Sequence, residues 1–194
     1  MNKLIEKVLE YNGPVERFKQ SGLTLVYLSQ ELKEDKNIVY PDNVAYAFFS
    51  PVTDDFLLEK EKENNIEFPN LYRELLKGCN GFSLEIGHFN FYGLDLDLWK
   101  GFSHKEKAFF GPDVIEVNQS FAPKKISSRF FIIGEDYHKN CWIGIKDEKT
   151  YTINRYGKQL EEIDFINERI SSVEEFNRNS NEAISHVKGL YKNS

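Results

Sequence analysis

The sequence predicts an α+β fold in which an antiparallel-dominated (mixed) β-sheet is flanked by helices. Two observations carry that expectation. Helical patterns come first, a run of strands follows, and a helix closes the chain, an order typical of segregated α+β architectures rather than of alternating α/β ones. The connections inside the strand run, GEDYHKN and DEK, are also short. Short links join antiparallel neighbours, because a parallel crossover needs a dozen or more residues.

Residues 2–11 form an amphipathic pattern with Leu4, Ile5, Val8 and Leu9 on one face, stopped by Asn12-Gly13-Pro14. Leu23–Leu28 is β-prone and almost wholly apolar, as expected of a strand covered on both faces. Glu31–Asn37 is charged and reads as solvated, Tyr40–Asn43 as a turn, and Val44–Phe49 as a second strand. Thr53 can cap a helix whose first turn holds Asp54 and Asp55, both favourable at the positive end of the helix dipole. Pro69 then opens the clearest helix, with Leu71, Tyr72, Leu75, Leu76 and Cys79 on one face and Asn80-Gly81 suited to a left-handed stop.

Beyond Gly81 the apolar period changes from that of a helix to that of a strand. Phe82, Leu84 and Ile86 alternate with polar residues, as do Phe89 and Phe91, with Gly87-His88 near the turn between them. A loop-rich stretch leads to a short helix over Asp113–Gln119. Strands are expected at Arg129–Gly134, Cys141–Lys146 and Thr150–Asn154. Ser171-x-x-Glu174 and Ser172-x-x-Glu175 are alternative capping boxes for the last helix, which carries Val173, Phe176, Ala183, Ile184, Val187 and Leu190.

The 194 residues contain 40% hydrophobic and 29% charged residues, the balance of a globular chain rather than a disordered one. Rings are abundant (16 Phe, 10 Tyr and 2 Trp), so much of the core should be aromatic. The formal net charge of −6 disfavours direct nucleic-acid binding, since the Lys and Arg residues interleave with acids instead of clustering. An acidic surface would attract basic partners. No apolar run nears the roughly 18 residues of a membrane span, and Glu6 and Glu10 interrupt the N-terminal apolar stretch, so no membrane partner is expected. Two cysteines, Cys79 and Cys141, make no disulfide framework and point to a reduced cytoplasm.

The stretch Thr53–Gly81 resembles the SMI1/KNR4 (SUKH) superfamily. The likeness rests on an acidic helix, Phe68-Pro69, Tyr72, Leu75-Leu76 and Asn80-Gly81. It continues through Phe91-Tyr92-Gly93, through Phe131–Gly134 followed by Glu135-Asp136, and through Ser172–Phe176. It covers about residues 51–178, leaving 1–50 as an N-terminal extension packed on a SUKH-like domain of 51–194. The loop Glu135–Asn140 lacks the glycines often found there in the family. The resemblance implies a mixed α+β fold and a non-catalytic role. Bacterial members are widely immunity proteins that bind a cognate toxin, often a nuclease; fungal members regulate cell-wall synthesis and signalling.

Two groups of residues stand out as candidate partner contacts. Asp95 and Asp97 form a D-x-D element followed by Trp99, three side chains that would share one face of an extended chain. A divalent-metal pair, an aromatic-anchored acidic patch and a plain solvated loop all fit that pattern. The second group, Glu135, Asp136 and Tyr137, concentrates acid and aromatic groups in one inter-strand loop, where either recognition or an ordinary hairpin tip fits. His138 with Cys141 makes a weak base–nucleophile pair, because the spacing places no constraint on contact and no oxyanion motif accompanies it. The four histidines make no zinc spacing with either cysteine, so no metal and no cofactor is expected. The resulting expectation is a cytoplasmic, non-catalytic immunity protein that binds a cognate protein toxin, such as a basic nuclease. A regulatory scaffold for host proteins is the alternative, and an undetected enzyme the least favoured.

Overall fold

A computed structural model describes residues 1–11, 13–29, 44–85, 87–95, 102–104, 106, 109 and 111–192. Among them, nine strands pair in strict sequence order, each antiparallel to the next. The strands are β1 (Val15–Arg17), β2 (Thr24–Tyr27), β3 (Val44–Phe48), β4 (Phe82–Leu84) and β5 (Phe89–Phe91), then β6 (Phe131–Asp136), β7 (Cys141–Lys146), β8 (Lys149–Asn154) and β9 (Gln159–Ile163). The α+β expectation holds, and every described pairing is antiparallel. The first three strands come from residues 1–50 and continue the same sheet: β3 pairs with β4 through Ala47–Ser83 and Phe48–Phe82.

Helices α1 (Asn2–Leu9), α2 (Asp54–Asn64), α3 (Asn70–Leu76) and α6 (Phe165–Lys192) contribute apolar residues to the main core. Helix α4 (Val114–Glu116) continues as a π-helical turn, Val117–Phe121, and is followed by α5 (Lys124–Ser127); Val114, Ile115, Val117 and Ile126 of this segment also belong to the main core. Asn118 fastens this segment to β6, exchanging side-chain hydrogen bonds with Ile132 N–H (2.7 Å) and C=O (2.8 Å). The main core is built from rings, as the composition suggested. Tyr72 packs among Phe68, Phe91 and Phe131, while Phe165 packs among Phe82, Phe89 and Phe91. A smaller cluster of Leu23, Leu25, Val44, Ala47 and Phe49 lies apart, closed by Phe18, Tyr27 and Phe109. Because Val26 and Leu28 face the main core while Leu25 faces the smaller one, β2 is covered on both faces, as its unbroken apolar run predicted.

Several boundaries differ from expectation for identifiable reasons. Thr53 does cap α2, accepting from Phe56 N–H at 3.3 Å. Helix α3 starts one residue after Pro69, its first amides held by the Glu148 carboxylate (Asn70 N 3.1 Å, Leu71 N 2.7 Å). It ends at Leu76, so Cys79 and Asn80 lie beyond it; of the Asn80-Gly81 pair, Gly81 takes the positive φ of 91°. Asn80 serves instead as a bridge, bonding Leu94 N–H (2.8 Å) and C=O (2.9 Å). The last helix begins at Phe165, where Asp164 caps Asn167 N–H at 3.2 Å, and runs straight through both proposed capping boxes. Ser172 is used in tertiary contact, its hydroxyl donating to Glu85. Farther along α6, Asn177 accepts from Tyr46 Oη (2.7 Å) and donates to the Lys7 carbonyl (3.0 Å), fastening α6 to β3 and α1.

Candidate functional site

Successive residues of a strand face opposite sides of the sheet, and the end of β6 uses that rule to separate two adjacent carboxylates. Glu135 and Asp136 were expected in the loop. The structure places both inside β6, which shortens the loop to Tyr137–Asn140. Neither acid is presented to solvent: Glu135 is 8% exposed and Asp136 4%.

Glu135 shares its side of the sheet with its cross-strand partner Trp142. Arg155, just past β8, lies 4.4 Å above the Trp142 ring and 6.0 Å from that of Tyr137. It donates from Nη2 to Glu135 Oε2 (3.1 Å) and from Nε to Asn140 Oδ1 (3.3 Å). Tyr137 Oη donates to the other carboxylate oxygen, Glu135 Oε1, at 2.6 Å. The carboxylate therefore sits behind a Tyr–Arg–Trp layer and neutralises its guanidinium. Burial, and after it the negative charge of Glu135, pushes the Tyr92 phenol well up. What faces solvent is aromatic, with a charge-paired guanidinium among the rings: Tyr137 is 52% exposed, neighbouring Tyr156 is 81% exposed, and Arg155 and Trp142 are half-buried. Tyr, Trp and Arg are the residues that most often anchor protein interfaces: the two aromatics combine large area with few rotatable bonds and a polar tip, and Arg adds a planar, many-donor guanidinium that stacks on rings.

Asp136 lies on the other side, against α6. Arg169 Nη1 approaches its Oδ2 at 3.4 Å while the guanidinium covers the Phe89 ring at 4.3 Å. Asp136 Oδ1 also accepts from Lys139 N–H at 2.9 Å, which shapes the hairpin tip. At that tip His138 stacks on His88 of the β4–β5 turn, ring centroids 3.9 Å apart. The two turns are further joined by Tyr137 N–H donating to the His88 carbonyl at 2.8 Å.

Asp95 is anchored elsewhere, its N–H donating to Asp113 Oδ2 at 2.6 Å, while Asp97 and Trp99 lie outside the described residues. Thus Glu135 and Tyr137 come together, Asp136 turns inward, and Asp95 belongs to the start of α4. Arg155, Trp142 and Tyr156 were not singled out from sequence. For Trp142 the signal existed: Cys141, Ile143 and Ile145 alternate with it, which leaves Trp142 on the opposite face.

The base–nucleophile reading of His138 and Cys141 gains no support from this geometry. Cys141 is fully buried, and burial, followed by the Asp136 charge, pushes its thiol up to about 11. A thiol held there is not the nucleophilic thiolate at neutral pH. Among the described residues no three His, Cys, Asp or Glu side chains gather as a metal site, and no helix is long and apolar enough to cross a membrane.

No curated protein and no solved structure matches the chain. Residues 51–179, however, match the family model described as SMI1 / KNR4 family (SUKH-1), and the chain belongs to that family.

Proposed function

We propose that this protein is an immunity-type binding protein that neutralises a cognate toxin by stoichiometric docking. Membership of a family that is generally non-catalytic, and whose members bind cognate toxins, supports the reading. The contact face in this reading is the layer of Tyr137, Arg155 and Trp142 with Tyr156 beside it, and the single observation that carries it is the stacked Arg155 fixed by Glu135. A guanidinium already held between two rings loses little freedom on docking, so more of its contact energy appears as affinity. In this reading Asp95, Asp97 and Trp99 are further partner contacts, and residues 1–50 are an N-terminal extension packed on the SUKH-like domain. The net charge of −6 suits a basic toxin such as a nuclease, encountered in the cytoplasm.

Co-purification with the product of an adjacent toxin-like gene, and rescue of cells expressing it, test the reading together. A stable complex with rescue is expected; no complex and no rescue would remove it. Within the complex, Tyr156→Ala is the informative substitution, because an 81% exposed side chain can be truncated without disturbing the fold. A hot-spot loss of about 2 kcal/mol corresponds to roughly 30-fold weaker binding. Tyr156→Ala and Tyr137→Ala both leaving affinity unchanged would move the contact face elsewhere.

A further inference from the structure

On the sheet face that carries α3 and α6, the two helices leave part of the β8–β9 edge uncovered. A groove of about 490 Å³ opens there, large enough for several side chains. Leu71 and Leu75, one turn apart on α3, form one wall; Phe165 and Ile166 at the start of α6 form the other, with Thr150 and Ile163 between them. The walls are fixed. Glu148 pins the β7–β8 turn to the first amides of α3, and Thr150 Oγ1 donates to the Ile163 carbonyl at 2.6 Å, locking β8 to β9.

The rim is acidic. Glu148, Glu162 and Asp164 line this groove, and Glu67 and Asp147 line a second hollow of about 270 Å³ on the other side of Glu148. Against these five carboxylates stand two lysines, Lys146 and Lys149, a local balance of −3 and half of the whole chain's −6. Lys149 pairs with Glu162 at 3.0 Å, but it is exposed and surface pairs of this kind are weak and easily exchanged. A second copy of the chain would bring carboxylates against carboxylates across a twofold axis, which charge disfavours.

We propose that this groove receives a basic, aliphatic segment of a partner protein, its apolar side chains between α3 and α6 and its Lys or Arg groups on the carboxylate rim. The proposal goes beyond neutralisation, because any partner presenting such a segment would serve.

The test is a fluorescence-polarisation titration at near-physiological salt, using a labelled peptide of alternating lysine and leucine and a glutamate–leucine control. The Lys–Leu peptide should bind and the control should not. Glu162→Lys should weaken binding at least tenfold and Ile166→Ala at least threefold. Glu59→Lys, which makes the same charge change on exposed α2, should weaken it less than twofold. Thermal unfolding confirms that each variant is folded; if Ile166→Ala unfolds the protein, Leu71→Ala replaces it. Absence of Lys–Leu binding, or equal losses for Glu59→Lys and Glu162→Lys, overturns the proposal. So does a dimer in sedimentation velocity that Glu162→Lys tightens. The titration contains no toxin, so its failure leaves the neutralisation reading standing, and failed rescue leaves the groove standing.

Discussion

Replacing Asn80 by alanine should destabilise the protein far more than a turn residue would. Asn80 is 1% exposed and Leu94, whose N–H and C=O it bonds at 2.8 and 2.9 Å, is 0% exposed. Alanine leaves both backbone groups of Leu94 without those partners in a site closed to water. Each buried polar group left unsatisfied costs about 1–3 kcal/mol, so the sum is about 2–6 kcal/mol. For a chain of this size, at about 2–4 °C per kcal/mol, that corresponds to a fall of about 4–24 °C in Tm. Equilibrium urea unfolding measures it, with the slope checked against the parent protein so that a change in midpoint reports stability. Asn80→Asp sharpens the test. It keeps an acceptor for Leu94 N–H but turns a carboxylate oxygen toward the Leu94 carbonyl, so at neutral pH it should be no better than alanine. An acidic shift should then help it, because a protonated carboxyl can donate. If Asn80→Ala costs under 1 kcal/mol, or Asn80→Asp matches the parent, the bridge is unimportant and Asn80 is there only to precede Gly81.

Two further outcomes follow from the charges at the hairpin tip. The side chains of Asp136 and Arg169 are each 6% exposed; Asp136→Ala leaves Arg169 only its second partner, the partly exposed Glu168 at 3.2 Å, and should cost about 3 kcal/mol, the lower end of the range for a broken buried pair. The double variant Asp136→Ala/Arg169→Met should cost less than the sum of the singles, and additivity within about 0.5 kcal/mol would show that the pair is not coupled. The pKa of His88 is held below its ordinary 6.5, first by burial and then by His138, with Glu85 and Asp136 acting the other way. The folded state therefore disfavours the charged imidazole. Its contribution is fully present above the unfolded value and is lost as pH falls through 6.5 toward the lower folded value. Tm measured at about pH 7.5 and 5.5 should fall less in His88→Asn than in the parent, and an unchanged slope would count against this account.

Much of the sheet was legible because its middle strands alternate: Phe82 and Leu84 inward, Phe89 and Phe91 inward, Cys141 and Ile143 inward. The two edges were not. In β9, Gln159 to Glu162 are all exposed, and β1 buries none of its three residues, so neither carries the apolar period that betrays a strand. The start of α6 was missed because Ser171 and Ser172 satisfy the local capping rule as well as Asp164 does; only the packing of Phe165 among Phe82, Phe89 and Phe91 decides between them. At the candidate site Tyr137 was legible as an exposed ring. The fate of Glu135 and Asp136 was not, since Arg155 and Arg169 lie 20 and 33 residues downstream. No local rule shows which carboxylate a distant cation will claim.

The seam between β3 and β4 has a practical cost. The stretch that matches the family begins at residue 51, three residues after β3 ends. A gene fragment cut at that boundary would strip away β1, β2 and β3, leaving the amide and carbonyl row of β4 open beside the apolar side chains Phe82 and Leu84. Such an uncharged, newly bared strand is a template for cross-linking into aggregates. It would also leave Tyr46's partner Asn177 and the α1-facing side of α6 uncovered. Anyone expressing the family portion alone should anticipate inclusion bodies, and should keep the first fifty residues attached.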